Sequence, residues 1–589
     1  MALKQLFRDE LAYLHLQGNE FAKRNPDLSH FLSEKSSDPD VERLLEGFAF
    51  LSARLRQKIE DDFPELTHSI INLLWPNYLR PLPSTTIIQF SPKTDSITEK
   101  QIIEKNASLR SQPVDGVECQ FTSCHEVSVY PLIINAIDET HSRDKSIIGI
   151  NIQTLTDQPL NTIDCNQLTF YLAGNRYTAQ TLYLWIFNYL TKIDIIIEDQ
   201  VTQSLSSKHI NAIGFDPSQA LLPYPENVFD GYRILQEYLN FPQRFNFFDL
   251  VNLLPIWPNT SAKKIRLEFH FKRPFPADIK IRRNDFQLYC TPAVNLFAHD
   301  GDPISLDGKS TDYMIRPSSY DQASYEIFSI DKVTGRKQSS DKSTNPNRTY
   351  YAFESFQHEI ERSHNRKALY FRNRISESRT KPGFEQTISF IREDETHYTP
   401  EQTEIISIEM TCSNRNLPEA LAIGDINIAT EEIPSFVTFE NITQPTSPVR
   451  PVLDGSLHWK LISNCSLNYL SLLKVGPLRS IIQAYDFKAN EDEQAKRHLF
   501  QRLEGIEKIT TTPIDRLLKG LPIRGSSSTI TINADKFHSE GELYLFGTVL
   551  SHFFSLFSTI NSFHVLEVVN STNNERYTWP LQKGIQPLI

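Results

Sequence analysis

The chain has 589 residues with 60 basic against 72 acidic side chains, a formal charge of −12 that argues against a protein gripping nucleic acid over a basic surface. That length exceeds one hydrophobic core and points to roughly four domains. Six scattered cysteines (119, 124, 165, 290, 412, 465) exclude a disulfide framework and favour a reducing cytoplasm, while scarce Gly (20) beside abundant Phe (37), Tyr (22) and Pro (34) indicates aromatic cores and many strand-ending turns.

The opening MALKQLFRDELAYLHL carries Arg8, Asp9 and Glu10 where a signal peptide needs an unbroken apolar run. Phe7, Leu11, Leu14, Gly18 and Phe21 form a short heptad seam that stops before Asn25-Pro26. Asp38-Pro39 then starts a second helix. Behind it Val41, Leu44, Leu45, Phe48, Leu51, Leu55 and Ile59 fall at helical spacing. Phe50 and Ala53 lie off that stripe, so the helix is apolar over a wider arc than one buried face requires. The acids Glu60, Asp61, Asp62 and Glu65 are expected between this helix and a third one ending at Trp75-Pro76, where they suit a helix N-terminus. These apolar residues, Trp75 included, are candidates for the chain's own core or for a partner interface. Three prolines in PNYLRPLPS mark a boundary near residue 83.

From there to about residue 455 the texture is β-rich. TTIIQFS (85–91), INIQTLT (150–156), QLTFYLA (167–173) and KIRLEFHF (264–271) read as strands, with helices expected near 179–190 and 231–239. Residues 336–382 hold eleven Lys/Arg against five acids, with Arg366, Lys367, Arg372 and Arg374 interleaved with Tyr370 and Phe371. This stretch reads as a long polar loop, a solvated segment or a patch for an acidic partner before it reads as a nucleic-acid strip. The last portion, 456–589, is mixed α/β. Its segment 543–566 lacks any charge, yet its Ser, Asn and His residues speak against a membrane span. A helix over 545–557 and a strand over 563–569 are expected instead. The fold class is therefore α+β and multidomain: helical 1–83, β-rich 84–230, β-rich 231–455 with the loop 336–382, and α/β 456–589.

Motifs for chemistry are lacking. No GxGxxG, HExxH, GxSxG or CxxC occurs, and GLPIRGSS (520–527) mimics a phosphate loop but has Ser526 where the lysine should stand. Cys119, Cys124 and His125 come nearest to a metal cluster; five residues apart on a strand, the two cysteines face opposite ways and read as small buried hydrophobes. Neither cofactor, metal nor catalytic residue is read from the sequence.

Several long blocks nevertheless resemble one family. DPDVERLLEGFAFLSARLRQKIEDDFPELT with LLWPNYLRPLPS is similar to the N-terminal signature of TssF (ImpG, VasA), a type VI secretion baseplate component. The resemblance continues in GYRILQEYLNFPQRFNFFDL, NDFQLYCTPAVNLF, DPISLD, TCSNRNLP, SLNYLSLL, LYLFGTVLSHFFSLFSTINSF and YTWP, in family order over almost the whole chain. It implies a non-enzymatic subunit, two copies of which join one TssG to form a wedge. It further implies partners TssE, TssK and the VgrG spike, an indirect tie to the contractile sheath, and a cytoplasmic assembly docked at an inner-membrane complex without inserting into it. Two alternatives stand beside it: a cytoplasmic hydrolase with an uncommon site, and a nucleic-acid adaptor using 336–382.

Overall fold

The computed structural model describes residues 7, 8, 11, 14 and 39–584, apart from 95, 157, 225–231, 259, 338–347, 354–368, 379–382, 393–402, 454–472 and 519–520. It divides into two compact units, residues 1–79 with 453–462 and residues 80–452 with 463–589.

The first unit is dominated by α1 (Pro39–Leu74), a single helix of 36 residues. The sequence expectation of two helices separated by an acidic link is thereby corrected: Glu60 to Glu65 and Pro64 lie inside α1. An interior proline removes one backbone donor and costs about 3 kcal/mol. The apolar period runs on regardless through Phe63, Leu66, Ile70 and Ile71, so continuing the helix is favoured over breaking it. The helix ends before Trp75, whose N–H donates to the Ile71 carbonyl at 2.6 Å.

The second unit is built from interlocked, largely antiparallel sheets. In one, Thr85–Pro92 lies between Cys290–Val294 and Val437–Asn441, with Val117–Ser123 and Ser108–Val114 beyond. In another, Lys264–Phe271 lies between Leu190–Ile197 and Ser146–Thr154. Its alternation works as the sequence predicts, with Ile265, Leu267, Phe269 and Phe271 buried and the intervening residues not. Strands on either side of residue 230 therefore pair with each other in three sheets, which 84–230 shares with 231–455. An eight-stranded sheet carries the core of Val333, Tyr350, Ile388, Phe390, Ile406, Ile408 and Met410. Within 336–382, where a polar loop is expected, Arg348–Ala352 and Leu369–Glu377 are strands of this sheet. Tyr370 and Phe371 are buried there, so their aromatic character serves the core. Arg366 and Lys367 fall outside the described residues.

Shorter helices include α2 (Arg176–Leu184), α3 (Arg233–Asn240), α4 (Val475–Tyr485) and α5 (Glu493–Gly505). The charge-free segment becomes α6 (Glu540–Phe557) followed by the strand Phe563–Asn570, as expected. Helix α6 is buried on nearly every face, which accounts for an apolarity that resembles a membrane span. Gly547 is required there, since a Cβ would come within 2.3 Å of the Trp579 ring. The helix is the crossover joining Leu521–Ile532 to Phe563–Asn570, which pair in parallel. Among the described residues no helix is long and apolar enough to cross a membrane.

Candidate functional site

The wide apolar arc of α1 is split by the fold. Ala49 and Ala53 are buried and Leu45 is half-buried, whereas Leu44, Phe48 and Leu51 are 75, 62 and 61% exposed. Steps of four and three residues set these last three on one side of the helix, and Phe50 is also exposed. Fully covering a large apolar side chain is worth about 1.5–3 kcal/mol, so the exposed parts of the three, about two side chains' worth, leave roughly 3–6 kcal/mol unrealised. Exposed apolar stripes are characteristic of interaction surfaces, which makes Leu44, Phe48 and Leu51 the candidates for one here.

The other candidate residues distribute unequally. Phe7, Leu11 and Leu14 are helical and half-buried, and Trp75 is buried. Phe21 and the side chains of Val41, Leu55 and Ile59 lie outside the described residues.

The cysteine and histidine side chains that come nearest to a reactive cluster are sequestered. Cys119 sits on Val117–Ser123 and Cys124 directly after it; burial pushes their thiols up to about 11 and about 12. Burial and the neighbouring Arg244 charge lower His125 to about 3, and its ring donates to the Gln219 carbonyl at 3.2 Å. These residues fill the interior; among the described residues no set of three or more His, Cys, Asp or Glu could hold a metal ion. Ser528 and His564 lie 3.0 Å apart, a nucleophile–base distance, but both are fully buried, and burial holds the imidazole near pKa 4. From Leu521 on, GLPIRGSS is one strand of a β-hairpin, not a strand-to-helix loop.

Two buried ion networks hold the second unit together. On α3, Arg233 donates to Glu237 one turn on at 3.3 Å, and Arg244 contacts the same carboxylate oxygen. Arg244 also donates to the Gly214 and Gln219 carbonyls. On α6, Glu542 accepts from Arg176 at 2.7 Å and Arg502 at 2.8 Å through one oxygen, and from the His538 N–H through the other. Burial would raise this carboxyl, but the guanidiniums of Arg502 and Arg176 outweigh it and hold the group below its ordinary value. The i,i+4 spacing of Arg233 and Glu237 was the one sequence signal for either network.

Interlocked sheets, buried titratable groups and an exposed apolar helix face are the features of a scaffold that works by association. Comparison with known proteins agrees. Residues 1–586 match the family model described as type VI secretion system, TssF, and the chain belongs to that family. It is 26% identical to type VI secretion system component TssF1 of Pseudomonas aeruginosa (strain PAO1), the alignment covering 99% of both chains. Among solved structures it resembles a chain of the TssK–TssF–TssG baseplate subcomplex determined by cryo-electron microscopy, with a TM-score of 0.74, 26% identity, and coverage of 92% of this chain and 99% of that one. The fold is shared with a chain of a second type VI baseplate complex at a TM-score of 0.63 and 24% identity, over 100% of both.

Proposed function

We propose that this chain is a structural subunit of a type VI secretion baseplate, joined to TssG- and TssK-type partners in a wedge and catalysing no reaction of its own. The observation that supports this is the whole-chain correspondence: the family match runs over residues 1–586, and 92% of the chain follows a member of a TssK–TssF–TssG subcomplex. The helical region 1–83 would supply partner contacts, with Leu44, Phe48 and Leu51 covered by a TssG-type subunit or by a second copy of this chain. In the finer reading two copies meet one TssG-type subunit, TssE-type and spike proteins join them, and the wedge primes the sheath from the cytoplasmic side of an inner-membrane complex. Permanent interfaces bury more than about 2,000 Å² and resemble a divided core, which is the character of this stripe.

Co-expression with the TssG-type protein of the same secretion system tests the proposal. A stable complex on size-exclusion chromatography is expected; a chain that remains monomeric beside a folded TssG-type partner would refute it.

A further inference from the structure

The strands Ile506–Leu518 and Leu521–Ile532 form a hairpin longer than the sheet it belongs to. Their mutual pairing runs from Ile506↔Ile532 out to Leu518↔Leu521. The next strand, Phe563–Asn570, accompanies the second strand only from Ser526 to Ile532. Among the described residues the ribbon past Gly525 has no neighbour in the sheet on either edge. Gly525 marks the root: a Cβ there would meet the Phe563 carbonyl oxygen at 2.5 Å, and Ser562 donates to the Arg524 carbonyl at 2.9 Å. The four residue pairs beyond, Asp515↔Arg524 to Leu518↔Leu521, project by about 14 Å.

An isolated two-stranded ribbon is at best marginally stable in water. This one carries apolar residues on both faces. Alternation puts Ile514, Arg516 and Ile523 on one face and Asp515, Leu517, Pro522 and Arg524 on the other. Leu517 is 75% exposed, and Arg516, Pro522 and Arg524 are exposed as well. A flat partner could cover only one of these faces, so both are covered only by something that closes around the ribbon. The charge narrows the choice. Among the described residues of 511–525 the cations Arg516 and Arg524 stand against Asp515 alone, in a chain whose formal charge is −12.

We propose that this free end is a docking arm that enters an apolar cleft with acidic lips on another protein subunit of the complex formed with TssG- and TssK-type proteins. The proposal rests on the baseplate reading above. Leu517 and Ile523 are the apolar anchors, one on each face, and Arg516 and Arg524 meet the lips.

Hydrogen exchange over residues 511–525 tests it, comparing the full chain alone with the purified complex containing the TssG- and TssK-type subunits of its own system. Exchange at least about tenfold slower in the complex is expected, because backbone groups in solvent become enclosed. The double variant R516E and R524E should fold normally, both side chains being exposed, and lose roughly tenfold of that protection, the effect of two reversed rim charges. Benzoylphenylalanine in place of Leu517 should crosslink to a peptide containing Asp or Glu. A complex that assembles with exchange over 511–525 unchanged overturns the arm and leaves the baseplate reading intact, as does a crosslink to a peptide without acids. Flotation of the chain with phosphatidylglycerol vesicles, abolished by Leu517→Ala and unaccompanied by protection in the complex, would make the arm a lipid contact and also overturn it. Failure of the complex to form removes the baseplate reading and the arm with it.

Discussion

Glu542 joins three segments of chain that are far apart in sequence, taking one guanidinium from α2 and another from α5 while itself on α6. Glu542→Ala leaves Arg502 buried without its carboxylate, and breaking a buried pair on one side costs about 3–5 kcal/mol. A fall in the thermal midpoint is expected, with Glu542→Gln less severe because the amide oxygen still accepts; scanning calorimetry of both variants checks this. The buried histidines set an acid limit of their own. Burial, helped by Arg244, holds His125 at about 3; burial, helped by Arg233, holds His552 at about 4; and burial holds His564 at about 4. In the unfolded chain each titrates near 6.5. Their contribution is complete above that value and is lost as pH falls from 6.5 towards 3, since the unfolded state then binds protons that the folded state refuses. Each histidine costs up to about 1.4 kcal/mol per pH unit in that window. Urea midpoints measured from pH 7 to pH 4.5 should fall steeply below 6.5, and His552→Phe, which can keep the stack on Phe215, should flatten the curve.

Among the elements, α1 and α6 exchange the roles their composition suggests. Helix α6, without charge after Glu542, looks like a segment awaiting a membrane and is an interior helix, whereas the polar-flanked α1 leaves part of its wide apolar arc in solvent. Both elements were legible in the sequence because helical period is a local property. The continuity of α1 through Pro64 was not, because a proline is ordinarily a stop and the opposing pull of the apolar period is spread over two further turns. Nor could period alone tell the covered side of the arc, Ala49 and Ala53, from the open one. Exposure changes the outcome expected of substitutions. Leu44→Asp and Phe48→Asp should leave the unfolding midpoint of the isolated chain nearly unchanged, since surface substitutions fall within about 0.5 kcal/mol. The same variants should abolish co-elution with a TssG-type subunit, where an unpaired charge would be buried at a cost of several kcal/mol. Loss of stability in the chain alone would mean that the stripe belongs to its own core.

At the scale of the whole molecule, the pairing pattern decides what can fold separately. Thr85–Pro92 is hydrogen-bonded to strands some 200 and 350 residues later in the chain, and the Thr86 hydroxyl donates to the Thr443 carbonyl at 2.8 Å. Individual strands could be read from alternation, but their partners could not, because pairing across such distances has no local signal. Hence the β-rich region divides readily on paper near residue 230 and has no such seam in space. Residues 80–230 expressed alone would leave Ser146–Thr154 without Lys264–Phe271 and Thr85–Pro92 without both of its neighbours. Long open apolar edges of that kind aggregate. The fragments 80–230 and 231–589 are therefore each expected to be insoluble or to lack dispersed amide resonances when produced separately. Co-produced, they should recover as one soluble complex, because every sheet can then close. A fragment 80–230 that gives a dispersed, cooperative fold by itself would show that the pairings across residue 230 are dispensable.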